Sequence, residues 1–114
     1  MTDLGTLYEK YITERQDGQI IKNDSGFIAF RIQGSECFVL ETYVEKEKRR
    51  TGSFKSLFEK LKVIAASKSC HYISGEIHIK DKNRSTTLLC MLSIGAEPVL
   101  AEIGIIKLAY CLEV

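Results

Sequence analysis

The residues best suited to chemistry lie together in the middle of the chain. Arg49, Arg50, Thr51, Gly52 and Ser53 stand directly before an amphipathic segment, and the run EKEKRR that contains the two arginines holds four bases and two acids. A glycine and arginines at a helix start make an anion site, because the first backbone N–H groups lack intrahelical partners, the positive end of the dipole points the same way, and a bare backbone lets a phosphate approach. The chemistry this suits is holding the pyrophosphate of a nucleotide-containing cofactor. The same residues also describe a solvated strand-to-helix loop, and one glycine with two arginines does not choose between the two. Other reactive residue types offer less. Cys37, Cys70, Cys90 and Cys111 are widely spaced with no C-x-x-C pair, so neither a zinc ribbon nor a redox dithiol is expected. Three of them lie in apolar surroundings, and small buried hydrophobes in a reducing cytoplasm are the expected role. His71 and His78 flank a candidate strand at a separation of seven, which turns them to opposite faces and makes them poor joint metal ligands.

The elements that must position this loop follow from periodicity. Residues 38–44 (FVLETYV) within 36–44 read as a strand, and Phe54, Leu57, Phe58, Leu61, Ile64 and Ala65 repeat at helical spacing over 53–66. Ahead of them, Leu4, Leu7, Tyr8, Tyr11 and Ile12 predict a helix over 3–14, capped by Thr2 or Asp3 and ended by Asp17-Gly18. Residues 19–22 and 27–33 read as strands, and Gly34-Ser35 as a two-residue hairpin turn with glycine first. Residues 70–79 are the next strand, and a strand, a helix and a strand of these lengths imply a right-handed crossover with a parallel pair. A helix over about 85–94 follows, with Leu88, Leu89, Met91 and Leu92 facing the core and Gly95 at its C-cap. Strands at 99–103 and 105–114, joined at Gly104, end the chain. The order α-β-β-β-α-β-α-β-β gives an α+β sandwich: a mostly antiparallel mixed sheet, one central parallel crossover, and helices on both faces.

Composition bounds the rest. The 114 residues fit a single domain, 1–114, and 45% hydrophobic against 27% charged residues make it globular. A net charge of +1 argues against nucleic acid or a membrane surface as partner, so any basic site must be local. No apolar run approaches the roughly 20 residues of a membrane span. The first residues show no basic segment followed by an apolar one, so no signal peptide is expected and a cytoplasmic location is.

This order, with this loop at the parallel junction, resembles the GNAT superfamily of N-acyltransferases, whose signature is a strand followed by Arg/Gln-x-x-Gly-x-Gly/Ala opening a helix. Arg49 matches the first position and Gly52 the central glycine, while Phe54 departs from the last. Asn83 and the segment from Leu92 to Ala96 resemble the family's downstream asparagine and helix end. The resemblance covers residues 19–114, and the N-terminal part is shorter than the family usually carries. It implies an acetyl-CoA-dependent N-acetyltransferase that transfers an acetyl group to a primary amine by direct attack, with no metal and with a small-molecule or protein amine as acceptor. It assigns the pantetheine arm to the backbone of Thr42, Tyr43 and Val44. It assigns the pyrophosphate to the N–H groups of Thr51, Gly52, Ser53 and Phe54, with Arg49 and Arg50 beside them and Asn83 near the cofactor. A backbone N–H near Tyr43 or Val44 would polarise the acetyl carbonyl.

Glu41 is the implied general base, on one pleat face with Val39 and Tyr43 in an unbulged strand, and a cross-strand pair with Arg31 is its other reading. The family's usual acid position holds Cys90 and Met91, which leaves Tyr110, Tyr43 or water as proton donor. Tyr72, Glu76 and His78 share a strand face that lines either an acceptor cleft or solvent. The scaffold also suits a catalytically inactive CoA-binding or protein-interaction module, and the last strand is free to pair in a homodimer.

Overall fold

A six-stranded sheet in the order β1-β2-β3-β4-β6-β5 carries the molecule, seen in a computed structural model that describes residues 4–49, 52–82 and 84–112. Its elements are α1 (Leu4–Gln16), β1 (Gln19–Lys22), β2 (Gly26–Gln33), β3 (Glu36–Val44), α2 (Ser53–Ser67), β4 (Tyr72–His78), α3 (Arg84–Ser93), β5 (Glu97–Glu102) and β6 (Ile105–Cys111). Every strand pair is antiparallel except β3 with β4. The element order and the single parallel crossover are those read from the sequence, whereas the last strand, expected to be free to pair in a homodimer, is paired on both edges, by β4 and β5. Thr2 and Asp3, the expected caps of α1, lie outside the described residues.

Each helix end is built the same way. The chain takes one left-handed residue, and the next N–H turns back to a carbonyl five or six residues earlier: Gly18 to Ile12 at 3.0 Å, Cys70 to Ala65 at 3.0 Å, and Ala96 to Met91 at 3.1 Å. The left-handed residue is Gly95 after α3, but Asp17 after α1 and Ser69 after α2. Asp17-Gly18 is the stop expected for α1, and Gly18 also serves closeness, since a Cβ there would stand 2.6 Å from Ile12 and 3.0 Å from Leu40.

α2 and α3 cover one face of the sheet and α1 the other. Ile28, Phe30, Cys37 and Ile73 pack under Leu57, Phe58, Leu61 and Ala65 of α2. Ile77 and Leu108 pack with Leu88 and Met91 of α3. The outer positions correct the sequence reading. Leu7 and Tyr11 of α1 are each 50% exposed, and Leu89 and Leu92 of α3 are also exposed, so each short helix buries a narrower stripe than its spacing implies. The face of β4 and β6 opposite α2 bears Ser74, Glu76, His78 and Lys107, and no described helix covers it.

At the foot of the parallel pair sits a buried polar network. Glu36 accepts hydrogen bonds from Ser74 Oγ (2.5 Å) and Gln33 Nε2 (2.6 Å) and pairs with Lys107 Nζ (2.9 Å), which ties β3 to β4 and β6. Burial acts to raise the Glu36 pKa, but the bonds from Ser74, Gln33 and Lys107 outweigh it and hold the carboxyl below its ordinary value. A depressed carboxyl contributes stability that is present above its unfolded pKa and is lost as pH falls through its folded pKa. Glu36→Gln is therefore expected to cost about 1–3 kcal/mol at neutral pH. Urea melts at neutral and acid pH check this: the variant's deficit must shrink on acidification.

Candidate functional site

The parallel strands pair over three residues and then part. Glu36 opposes Tyr72, Cys37 opposes Ile73 and Phe38 opposes Ser74; beyond them β3 stays with β2 and β4 with β6. The inner edges of Val39–Val44 and Gly75–His78 thus face each other across a wedge with unspent backbone hydrogen-bonding capacity. Val39, Thr42, Phe54, Gly75, Met91 and Ile94 line it, and the cavity at its floor is about 20 Å³. Gly75 keeps that floor open, because a Cβ there would come 3.1 Å from Met91 Cε. Met91 fills the region where the resemblance calls for an acid.

A bulge in β3 sorts its side chains between the two faces. Ala29 opposes Glu41 and Phe30 opposes Val39, so Leu40 is the extra residue. Val39 and Thr42 both line the wedge on the α2 side. Leu40 reaches Gly18 and Ile12 beneath α1, and Glu41 accepts a hydrogen bond from the Tyr8 hydroxyl of α1. Two expectations change. Glu41 shares a face with Tyr43 but not with Val39, and the bulge lies at Leu40 rather than near Tyr43 or Val44. Arg31 is no partner of Glu41 either: it opposes Phe38, lies 5.7 Å from that ring's centroid, and donates to Gln33 and the Gln16 carbonyl.

The loop after β3 makes a 3-10 turn at Lys46–Lys48 and reaches α2 through Gly52, whose φ of +88° is left-handed. Gly52 has no side chain with which to cap the first-turn N–H groups of α2, and a Cβ there would meet nothing within 4 Å. The mouth of the wedge therefore lies toward the positive end of a 15-residue helix whose cap residue supplies no side-chain hydrogen bond. Arg49 does not extend toward this mouth. Its Nε donates to the Val44 carbonyl at 2.9 Å, and its guanidinium lies 5.9 Å from the centroid of the Tyr43 ring. Thus Arg49 clamps the loop to the end of β3 and takes up one of the backbone acceptors assigned to the pantetheine arm. Phe54 explains its own departure from Gly/Ala: its ring stacks on Phe58 at 6.2 Å and packs against the core. Arg50, Thr51 and Asn83 lie outside the described residues.

Tyr110 stands apart from Glu41. It packs under α2, edge-on to Phe58 at 5.2 Å, and its hydroxyl accepts from Lys62 Nζ at 3.5 Å, on the opposite face of the sheet from Glu41. Tyr110 also borders a cleft of about 580 Å³ between α2 and the end of β6. That cleft is larger than the wedge, yet Lys62 within it is tied to Glu59 at 2.9 Å and it holds neither Glu41 nor the α2 N-terminus. Cys37 and Cys70 are buried, and burial pushes the Cys37 thiol up to about 12, so it stays protonated. Cys90 is half-buried and its thiol is raised by the same cause, whereas Cys111 is exposed. Among the described residues no three His, Cys, Asp or Glu side chains gather as metal ligands, and no helix is long and apolar enough to cross a membrane.

Sequence reasoning missed Tyr8 and misplaced the bulge. The bulge left a signal, since Val39-Leu40 and Glu41-Thr42 are two like pairs in succession, which breaks the alternation of a regular strand. Tyr8 left none beyond its place in an apolar stripe, because its partner is 33 residues away.

No protein-family model matches the chain, and no curated protein matches it. Solved structures do. The PaiA N-acetyltransferase of Thermoplasma acidophilum, in complex with coenzyme A, superposes with a TM-score of 0.74 at 15% identity, over 94% of this chain and 70% of that one. The ribosomal-protein-S18-alanine N-acetyltransferase of Escherichia coli gives 0.66 at 12% identity, over 99% and 92%. An aminoglycoside 6'-N-acetyltransferase complexed with coenzyme A gives 0.71 at 15%, over 82% and 71%. The chain has the fold of these N-acetyltransferases, the GNAT fold.

Gly52 offers a test of the loop geometry. Gly52→Ala is expected to destabilise the protein by about 1 kcal/mol through left-handed backbone strain alone, since the space is open. Gly52→Asn, which tolerates that conformation better, should recover most of the loss in urea melts.

Proposed function

We propose that the protein is an acetyl-CoA-dependent N-acetyltransferase acting on a primary amine. The observation that carries this reading is the conjunction at one point of the sheet: parallel strands that part after three pairs, a helix N-terminus opened by Gly52 at the mouth, and a bulge that turns a carboxylate to the far face. The residues present fit the cofactor. The first-turn N–H groups of α2 suit a pyrophosphate, with Arg50, Thr51 and Asn83 assigned to the same neighbourhood by the resemblance. The inner edge of β3 around Thr42 and Tyr43 suits an amide-bearing arm by strand addition. When bound, acetyl-CoA supplies an activated thioester carbonyl.

The chain's own residues would then do the following. A backbone N–H at the bulge, next to Leu40, polarises the carbonyl. Glu41, directly or through a water, takes the proton that the attacking ammonium must lose. The amine nitrogen would bond to the carbonyl carbon as the C–S bond breaks, and the nitrogen's second proton would pass through water to the thiolate, since the Tyr110 hydroxyl, although its ring borders the wedge, is engaged by Lys62. The acceptor approaches from the α1 face, where Glu41 lies. Acceptors of the neighbours range from a ribosomal protein's alanine to an aminoglycoside, and a small-molecule or protein amine fits here equally. A cytoplasmic location goes with this reading.

One observation favours a second reading, a CoA-binding module without turnover: Met91 occupies the acid's region, and Tyr110 lies on the other face from Glu41. Calorimetry should detect acetyl-CoA binding in the wild type and none in Gly52→Asp, which sets charge against the phosphates; a wild type without affinity at millimolar ligand sinks both readings. A thiol-release assay with an amine panel separates them. Turnover that Glu41→Gln lowers by about 100-fold supports catalysis, and binding without turnover leaves the module.

A further inference from the structure

We infer that Tyr8 of α1 is a positioning residue for the acetyl transfer, holding the Glu41 carboxylate at the parting of β3 and β4. The inference rests on the acyltransferase reading and concerns the half of the site that the cofactor does not touch.

Glu41 is exposed, and an exposed glutamate on a strand samples several rotamers. One structural feature restricts it. The Tyr8 hydroxyl donates to Glu41 Oε2 across 33 residues of chain, and Ala29, directly opposite Glu41 on β2, leaves room for the carboxylate to lie toward α1. The donor is itself held. The Tyr8 ring packs on Phe27 at a centroid distance of 5.5 Å, Phe27 on Tyr43 at 6.2 Å, and Tyr43 carries the Arg49 guanidinium that is bonded to the Val44 carbonyl. α1 is anchored one turn further on by Ile12, which is 3% exposed, and by the ion pair of Glu9 with Lys22. An unbroken line of contacts therefore runs from the cofactor-side loop, through three aromatic rings, to the carboxylate.

Tyr8 suits positioning rather than proton donation. Desolvation, the bond to Glu41 and its charge, and the nearby Tyr11 all push the phenol well above its ordinary range. It therefore remains a hydrogen-bond donor at any pH at which the amine reacts, and it is a poor acid for a thiolate. One carboxylate oxygen is bound by Tyr8, which leaves the other to face the acceptor. A base fixed in this way avoids the rate loss that follows when a catalytic group is displaced by an ångström or so.

The test uses the whole chain with acetyl-CoA and the best amine of the panel. Tyr8→Phe keeps the ring and its packing on Phe27 and removes only the hydroxyl. The expected result is a fall in kcat of about 10-fold, with the acetyl-CoA Kd and the KM for the amine unchanged. Tyr11→Phe, one turn along the same helix, should leave kcat as it was. In the Glu41→Gln background, Tyr8→Phe should have no further effect, because its action passes through the carboxylate. The inference is overturned if Tyr8→Phe turns over like the wild type, if Tyr11→Phe lowers kcat equally, or if Tyr8→Phe and Glu41→Gln act multiplicatively. It is also overturned if Tyr8→Phe weakens acetyl-CoA binding as much as it lowers kcat, the signature of a general structural role. A wild type that binds acetyl-CoA but acetylates no amine overturns the acyltransferase reading itself, a distinct outcome.

Discussion

The parallel pairing of β3 and β4 ends at Phe38 and Ser74, and the site depends on that ending. Below it, the Glu36 carboxylate gathers Gln33, Ser74 and Lys107 and holds three strands at a fixed spacing. Above it, Leu40 enters β3 as an extra residue, an irregularity of the kind that bends a strand. A tie beneath and a bend above set where the wedge begins. Because a right-handed crossover returns the chain to lie parallel, the helix between the strands begins at the strands' C-terminal ends. The positive end of α2 therefore meets the mouth of the wedge as a consequence of topology. No separate device is needed to aim it there.

The bulge also divides the work of the strand. Thr42 faces the wedge beside Phe54 and Met91, and Glu41, its neighbour, faces α1. In a regular strand Glu41 would follow Val39 into the α2 face and its charge would point at packed apolar side chains, at a large desolvation penalty. The extra residue removes that conflict. It lets an apolar wall and an acidic group sit in succession on one short stretch of backbone, each in a medium suited to it.

This division also explains what could be read in the sequence. The strands, the amphipathic α2 and the parallel junction were legible, because burial of Ile28, Phe30, Leu57, Phe58 and Leu61 enforces the periods of the strand and the helix. The stop of α3 was legible through Gly95. The stop of α1 was legible as Asp17-Gly18, and that of α2 was less so, because Ser69 takes the left-handed geometry without a glycine to announce it. At the site, Gly52 was legible as a glycine before a helix. The aim of Arg49 was not, since a loop arginine has several acceptors within reach and only the fold decides that the Val44 carbonyl wins. Tyr8 was read as one more apolar position of α1. Its hydroxyl acquires a purpose only when the sheet brings Glu41 beneath it.

The cofactor half of the proposed site is made mostly of backbone: the first-turn N–H groups of α2 and the inner edges of two diverging strands. Such a half survives nearly any change of side chain that leaves the wedge open, which is why Phe54 can replace a small residue and Met91 can fill the floor without closing it. The acceptor half has no comparable insurance. It consists of one carboxylate, one hydroxyl 33 residues away and a row of three rings, all set by side chains on elements that meet only in the folded molecule. α1 is the described helix on that face, and its Tyr8 hydroxyl is the group that meets Glu41 there. In the proposed site the cofactor half therefore follows from architecture, while the acceptor half rests on a few residues around α1 whose partners no local pattern reveals.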